Sequence, residues 1–194
     1  MNTAFADALK QLPVTAREQG TVLVLDDDAQ PAFGTSRHLL ATGAVQHPAQ
    51  LRIVQWDAHK AANMRSLDAT LGPRVVTGAV QAYLSAEPPH PARQDDGAYA
   101  GLYLDVCGTI DAQLLPALDG LLTHPAQRTA GWPVVLGVTW CARDPHGHTS
   151  EANECRLQAL LMRHGSATVI TESAFGAMRT RFYRWLPVAT RHDI

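Results

Sequence analysis

The sequence predicts an α/β domain built on a doubly wound, mostly parallel sheet that closes with a C-terminal antiparallel hairpin. Three observations predict it. Apolar, β-branched runs such as Thr21-Val22-Leu23-Val24-Leu25 recur, and a run of that kind suits a strand buried on both faces. Each run stops at polar residues and gives way to a helical segment, the alternation that produces parallel strands with right-handed crossovers. The last two runs, 167–171 and 179–186, have no helix between them and so should pair antiparallel.

The elements follow in order. Residues 3–12 read as a helix ended before Pro13, and 21–25 as a strand that stops at Asp26-Asp27-Asp28. Gly34-Thr35-Ser36 opens a helix over 37–42, which Gly43 closes. A strand over 51–56 ends at Asp57, and 58–67 is helical. The short strand 74–77 leads into Gly78, Ala79 and a helical turn through Tyr83 and Leu84. Residues 87–97 are rich in proline and charge and read as a surface loop. A strand over 100–104 ends at Asp105, a helix over 112–122 bends near Pro116, a strand spans 133–139, and 151–164 is an amphipathic helix. A turn over 173–176 joins the last two strands. No linker divides the chain, so a single domain over 1–194 is expected.

Composition narrows the function classes. Of 194 residues, 46% are hydrophobic and 18% charged, an ordinary globular balance. A net charge of −2 gives no global positive field to attract nucleic acid or membrane. The odd set Cys107, Cys141 and Cys155 fits neither a disulfide framework nor a zinc ribbon, so the expectation is reduced thiols in the cytoplasm or another reducing compartment. No run approaches the ~20 apolar residues that span a bilayer, and neither a secretory signal nor a solenoid repeat is visible.

Ligands in open α/β sheets bind beyond the carboxyl ends of the strands. Three strands end there in an acid: Asp26, Asp57 and Asp105. A single such acid is as readily a helix cap, but three along one edge suggest a site. A carboxylate at Asp57, after the second strand, can accept both hydroxyl hydrogens of a ribose. The loop from Asp26 to Ser36 has one glycine, Gly34, where a dinucleotide fingerprint has three, and no lysine, so it is not a phosphate-binding loop. Adjacent acids would repel a pyrophosphate and favour a ligand carrying an amino or sulfonium cation.

With these motifs the chain resembles the class I S-adenosylmethionine-dependent methyltransferases, a Rossmann-like family, over residues 21–186. Among its branches it looks most like the tRNA guanine dimethyltransferase group. Asp26 and Gly34-Thr35-Ser36-Arg37 match that group's first loop, and Asp57-Ala58 its acid after the second strand. Gly78-Ala79 falls at the third motif, without the acid usual there. Asp105-Val106-Cys107-Gly108-Thr109 is similar to the fourth motif, with Val106 in place of proline. The group's tRNA-binding extension is missing. The resemblance implies S-adenosylmethionine as cofactor, held by Asp26, Gly34, Thr35, Ser36, Asp57, Ala58, Gly78 and Ala79. It implies Asp105 as the catalytic residue that orients an acceptor amine, with Thr109, Trp140 or Phe175 bordering the acceptor. The acceptor stays open, with RNA or another nucleic acid favoured over a small molecule or a protein side chain.

Other readings compete. Leu104 to Ile110 is similar to the nucleophile motif of haloacid-dehalogenase-type phosphatases, but Cys107 replaces the second acid and both lysines, Lys10 and Lys60, lie upstream. His146, His148, Cys141 and Asp144 lack a second ligand pair at metal spacing. Cys107 has no visible paired base and reads as a packed thiol. Arg179, Arg181, Tyr183 and Trp185 share one strand face; such a face suits nucleic acid, or an edge hairpin kept soluble by its arginines. A catalytically inactive binding or assembly domain is the remaining alternative.

Overall fold

The computed structural model describes residues 2–29, 31–85, 96–105, 113–141 and 150–188. Their seven strands form one sheet in the order β3-β2-β1-β4-β5-β7-β6. Strands β1 (Thr21–Val24), β2 (Leu51–Gln55), β3 (Val75–Thr77), β4 (Tyr99–Asp105) and β5 (Val134–Cys141) run parallel. Strand β7 (Met178–Pro187) inserts antiparallel between β5 and β6 (Gly165–Phe175). The expected doubly wound sheet with a terminal antiparallel hairpin is therefore the observed one.

Strand alternation divides the core in two. Val22, Val24, Leu51, Ile53, Tyr103, Val135 and Phe182 bury one face beneath α1 (Asn2–Lys10), α3 (Gly34–Ala41) and α4 (Ala58–Leu67). Leu23, Val54, Leu102, Leu104, Leu136, Val138 and Tyr183 bury the other beneath α5 (Val80–Leu84), α6 (Leu114–Leu122) and α8 (Ser150–His164). Along β1, β2, β4 and β5 successive residues meet one helical layer or the other, whereas the edge strand β6 is largely exposed. Full burial of each Leu or Val contributes about 1.5–3 kcal/mol. On the first face α1 comes very close: a Cβ on Gly101 would lie 2.7 Å from Leu9 Cδ2, so a larger residue there would require Leu9 to shift.

Several expectations change. Two short helices, α2 (Val14–Gln19) and α7 (Pro125–Ala130), were not foreseen; at six residues each they show no hydrophobic period. The third helix starts at Gly34 rather than Arg37. The hairpin turn sits at Gly176 and Ala177, with Gly176 at φ 59°, so Ser173 to Phe175 belong to β6 rather than to the turn. Strand β7, read as part of an edge hairpin, is an interior strand; β6 is the edge.

Candidate cofactor cleft

The strand order reverses between β1 and β4, and there the loops after neighbouring strands part to leave a crevice. A cleft of about 760 Å³ opens at this point, beyond the carboxyl ends of β1, β2, β3 and β4. Its volume suits a cofactor-sized ligand.

The first wall is the loop after β1. Asp26 is buried, and its carboxylate accepts the backbone N–H of Thr35 at 2.9 Å, the N–H of Ser36 at 2.8 Å and the Ser36 hydroxyl at 2.5 Å. These amides are orphan donors of the first turn of α3, so Asp26 caps that helix from nine and ten residues away. The residue at the cap position itself, Phe33, has no capping side chain and takes a left-handed φ of 59°. Its buried ring carries the Arg37 guanidinium 5.7 Å from its centroid. Gly34 follows at the cleft wall, and a Cβ there would meet nothing within 4 Å. The helix thus presents bare backbone to open space.

The second wall is the end of β2. Asp57 caps α4, with Oδ1 accepting the N–H of His59 at 2.8 Å and of Lys60 at 3.0 Å. The hydrogen bond from the Lys60 amide, with that from His59, holds its carboxyl below the ordinary carboxylate range. Trp56 beside it is 76% exposed and lines the cleft together with Lys60. The Lys60 ammonium lies 4.0 Å from Asp27 and 3.9 Å from Asp28, and Asn63 donates to Asp28 at 2.8 Å, so α4 reaches across to the first loop.

The structure brings Asp26, Gly34, Thr35, Gly78, Ala79 and Asp105 together around this cleft. Ser36, Asp57 and Ala58 do not line it: Ser36 is turned into the cap of α3, and Asp57 with Ala58 starts α4 at the rim. Asp105 ends β4 in register with Thr139. Residues that the sequence reading missed also line it: Asn2, Gln55, Trp56, Lys60 and Gln81. Gln55 had a visible signal, a primary amide closing strand β2 after Ile53 and Val54. Trp56 and Lys60 had none beyond adjacency to Asp57.

Other candidates resolve differently. Trp140 is 1% exposed and packs in the core beneath α8. Arg181 is held between Glu154 of α8 and Glu172 of β6, which removes it from the basic face. Arg179 and Arg184 are exposed. Cys107, Thr109, Asp144, His146, His148 and the Phe175 side chain lie outside the described residues, and among those described no group of three His, Cys, Asp or Glu could hold a metal ion. Nor is any described helix long and apolar enough to cross a membrane.

No protein-family model and no curated protein matches the chain. Solved structures match at the level of fold. A Haemophilus influenzae protein assigned as a methylase is 13% identical, with 95% of this chain and 86% of that one covered and a TM-score of 0.53. The N-terminal domain of EvdMO1, crystallised with S-adenosylhomocysteine and D-fucose, is 10% identical, with 96% and 81% covered and a TM-score of 0.54. An rRNA methylase from Streptococcus thermophilus is 10% identical, with 95% and 94% covered and a TM-score of 0.53. The likeness is one of fold: the same Rossmann-like α/β sheet recurs in these solved methylase structures.

Proposed function

We propose that the protein is an S-adenosylmethionine-dependent methyltransferase that binds its cofactor in the cleft at the carboxyl ends of β1–β4. The observation that carries this reading is the cleft wall itself: a capped helix N-terminus with open space over Gly34, facing an edge that holds Asp26, Asp27 and Asp105 against Lys60, the single cation among the described lining residues. A net acidic lining fits a cationic sulfonium ligand and disfavours a pyrophosphate. The neighbour crystallised with S-adenosylhomocysteine supports the same ligand.

When bound, this cofactor supplies an electrophilic methyl group on sulfur. The chain's own residues then bind and orient. Gly34 and Thr35, which line the cleft, would hold the ligand through their backbone, and the exposed Trp56 ring would offer a stacking face for its flat base. Asp57 contributes from the rim through Oδ2, since Oδ1 is taken up by the α4 cap. Asp105 would accept a hydrogen bond from an acceptor N–H and so hold the acceptor nitrogen in place, a gain in positioning, and the proton that nitrogen loses on methylation would pass to Asp105 or to water. We take an RNA base as the acceptor, supported by the rRNA methylase among the neighbours and by exposed Arg179, which pairs with Trp140 at the carboxyl end of β5. The narrower likeness to the tRNA guanine dimethyltransferase group rests on the sequence motifs alone.

A second reading, a non-catalytic binding domain, is favoured by one observation: both oxygens of Asp26 are satisfied within the protein. Calorimetric titration with S-adenosylhomocysteine separates the two, with Asp57→Asn beside the wild type because asparagine keeps the helix cap. Micromolar binding, weakened in the variant, supports the enzyme. Silence from folded protein favours the binding domain.

A further inference from the structure

The geometry points to Gln55 as a brace that fixes the spacing of the cleft walls, a positioning residue acting through Asp26 and Asp57. The inference rests on the cofactor reading above. Backbone pairing between β1 and β2 ends at Val24 and Ile53, so no ladder bond joins the two loops beyond it. Gln55 supplies the missing tie. It is 5% exposed, and a buried amide must find partners. Its Nε2 donates to the Asp26 carbonyl at 3.1 Å, and its Oε1 accepts the Asp57 N–H at 3.0 Å. Its backbone carbonyl accepts the Gly78 N–H at 3.0 Å. One residue therefore joins the ends of β1, β2 and β3, from which three of the candidate site residues project.

The two side-chain bonds have opposite polarity, one donated and one accepted, and that makes the role testable. In Gln55→Glu the acceptor for Asp57 survives. The ionised form, however, sets an oxygen against the Asp26 carbonyl, whereas the protonated form restores a donor. Gln55→Leu removes both bonds at every pH. A residue that only filled the core would tolerate leucine, whereas an ionised glutamate is costly at any buried position, so the loss in Gln55→Leu together with the low-pH recovery of Gln55→Glu marks the brace.

The experiment is calorimetric titration with S-adenosylhomocysteine of wild type, Gln55→Glu and Gln55→Leu, at about pH 8 and about pH 5.5, around the range where a buried glutamate titrates. Each variant is referred to wild type at the same pH, so titration of Asp26, Asp27, Asp57, Lys60 and Asp105 cancels. The brace predicts affinity about tenfold lower for both variants at the higher pH, with recovery at the lower pH for Gln55→Glu alone. Wild-type binding by Gln55→Leu, or a Gln55→Glu deficit equal at both pH values, overturns it. Should Gln55→Leu fail to fold, Gln55→Met, which also lacks both bonds, takes its place. If wild type itself binds nothing, the cofactor reading falls, and ligand-free melting of Gln55→Leu decides on the brace: a lower midpoint than wild type at both pH values upholds it, and a midpoint at or above wild type overturns it.

Discussion

Gly34 occupies a position where the protein itself does not require glycine, because a Cβ would meet only open space. Replacement by alanine should therefore raise stability, by about 0.5 kcal/mol from helix propensity. Gly34→Leu should fill the cleft and lower affinity for S-adenosylhomocysteine more than tenfold while melting near wild type. Calorimetry and thermal melts read the two effects separately. Asp57 gives a pH test. Its folded carboxyl lies below the ordinary value, so the associated stability is present above the unfolded value of about 3.9 and is lost as pH falls through the lower, folded one. Asp57→Asn should flatten the acid limb of the melting profile in that window and leave neutral pH little changed. The strand-end acids were legible in sequence as candidate ligands. That Asp26 caps a helix nine residues on was not, because the bond depends on how the intervening loop folds.

At the scale of elements, the hairpin shows what alternation can and cannot specify. The period-two reading placed Arg181, Tyr183 and Trp185 on one face of β7, and that face packs on α8, where Trp185 donates to the Leu161 carbonyl at 2.9 Å. The opposite face carries Phe182, stacked 6.0 Å from Phe5 of α1. Nothing in the strand itself told that Arg181 would meet Glu154 and Glu172, since those partners come from other elements. Beside Phe182 lies Gly137 of β5, where a Cβ would sit 2.5 Å from Phe182 Cε1. Gly137→Ala should cost about 1–3 kcal/mol by overpacking, measurable by denaturant unfolding, and should leave the distant cleft intact. The two six-residue helices escaped the sequence reading because a turn and a half carries no amphipathic repeat.

At the scale of the whole molecule, one polar knot fastens α5 to the first half of the sheet. Asp96 accepts from the hydroxyls of Tyr83 at 2.5 Å and Tyr99 at 2.7 Å, and Arg52 Nε lies 2.5 Å from its other oxygen. The Asp96 side chain is 1% exposed. Burial, and then the Asp96 carboxylate, push the Tyr83 hydroxyl above its ordinary value. This joins β2, α5 and β4 in one network. Of the segment 87–97, read from its proline and charge as a surface loop, only residues 96 and 97 are described, and the Asp96 side chain is buried; composition averages over a segment and cannot single out the residue that turns inward. Asp96→Ala leaves Arg52 without its buried partner and should cost about 3–5 kcal/mol, seen as a lower urea midpoint.

The central claim is that the crevice where the strand order reverses is a cofactor site. Its most direct test is backbone NMR of the labelled protein titrated with S-adenosylhomocysteine. The account predicts shift changes concentrated at Gly34, Thr35, Gly78 and Ala79 and at the Trp56 indole, with little change at Gly137 on the far side of β4. Saturating ligand with no shifts there, or shifts gathered elsewhere on the surface, would contradict it.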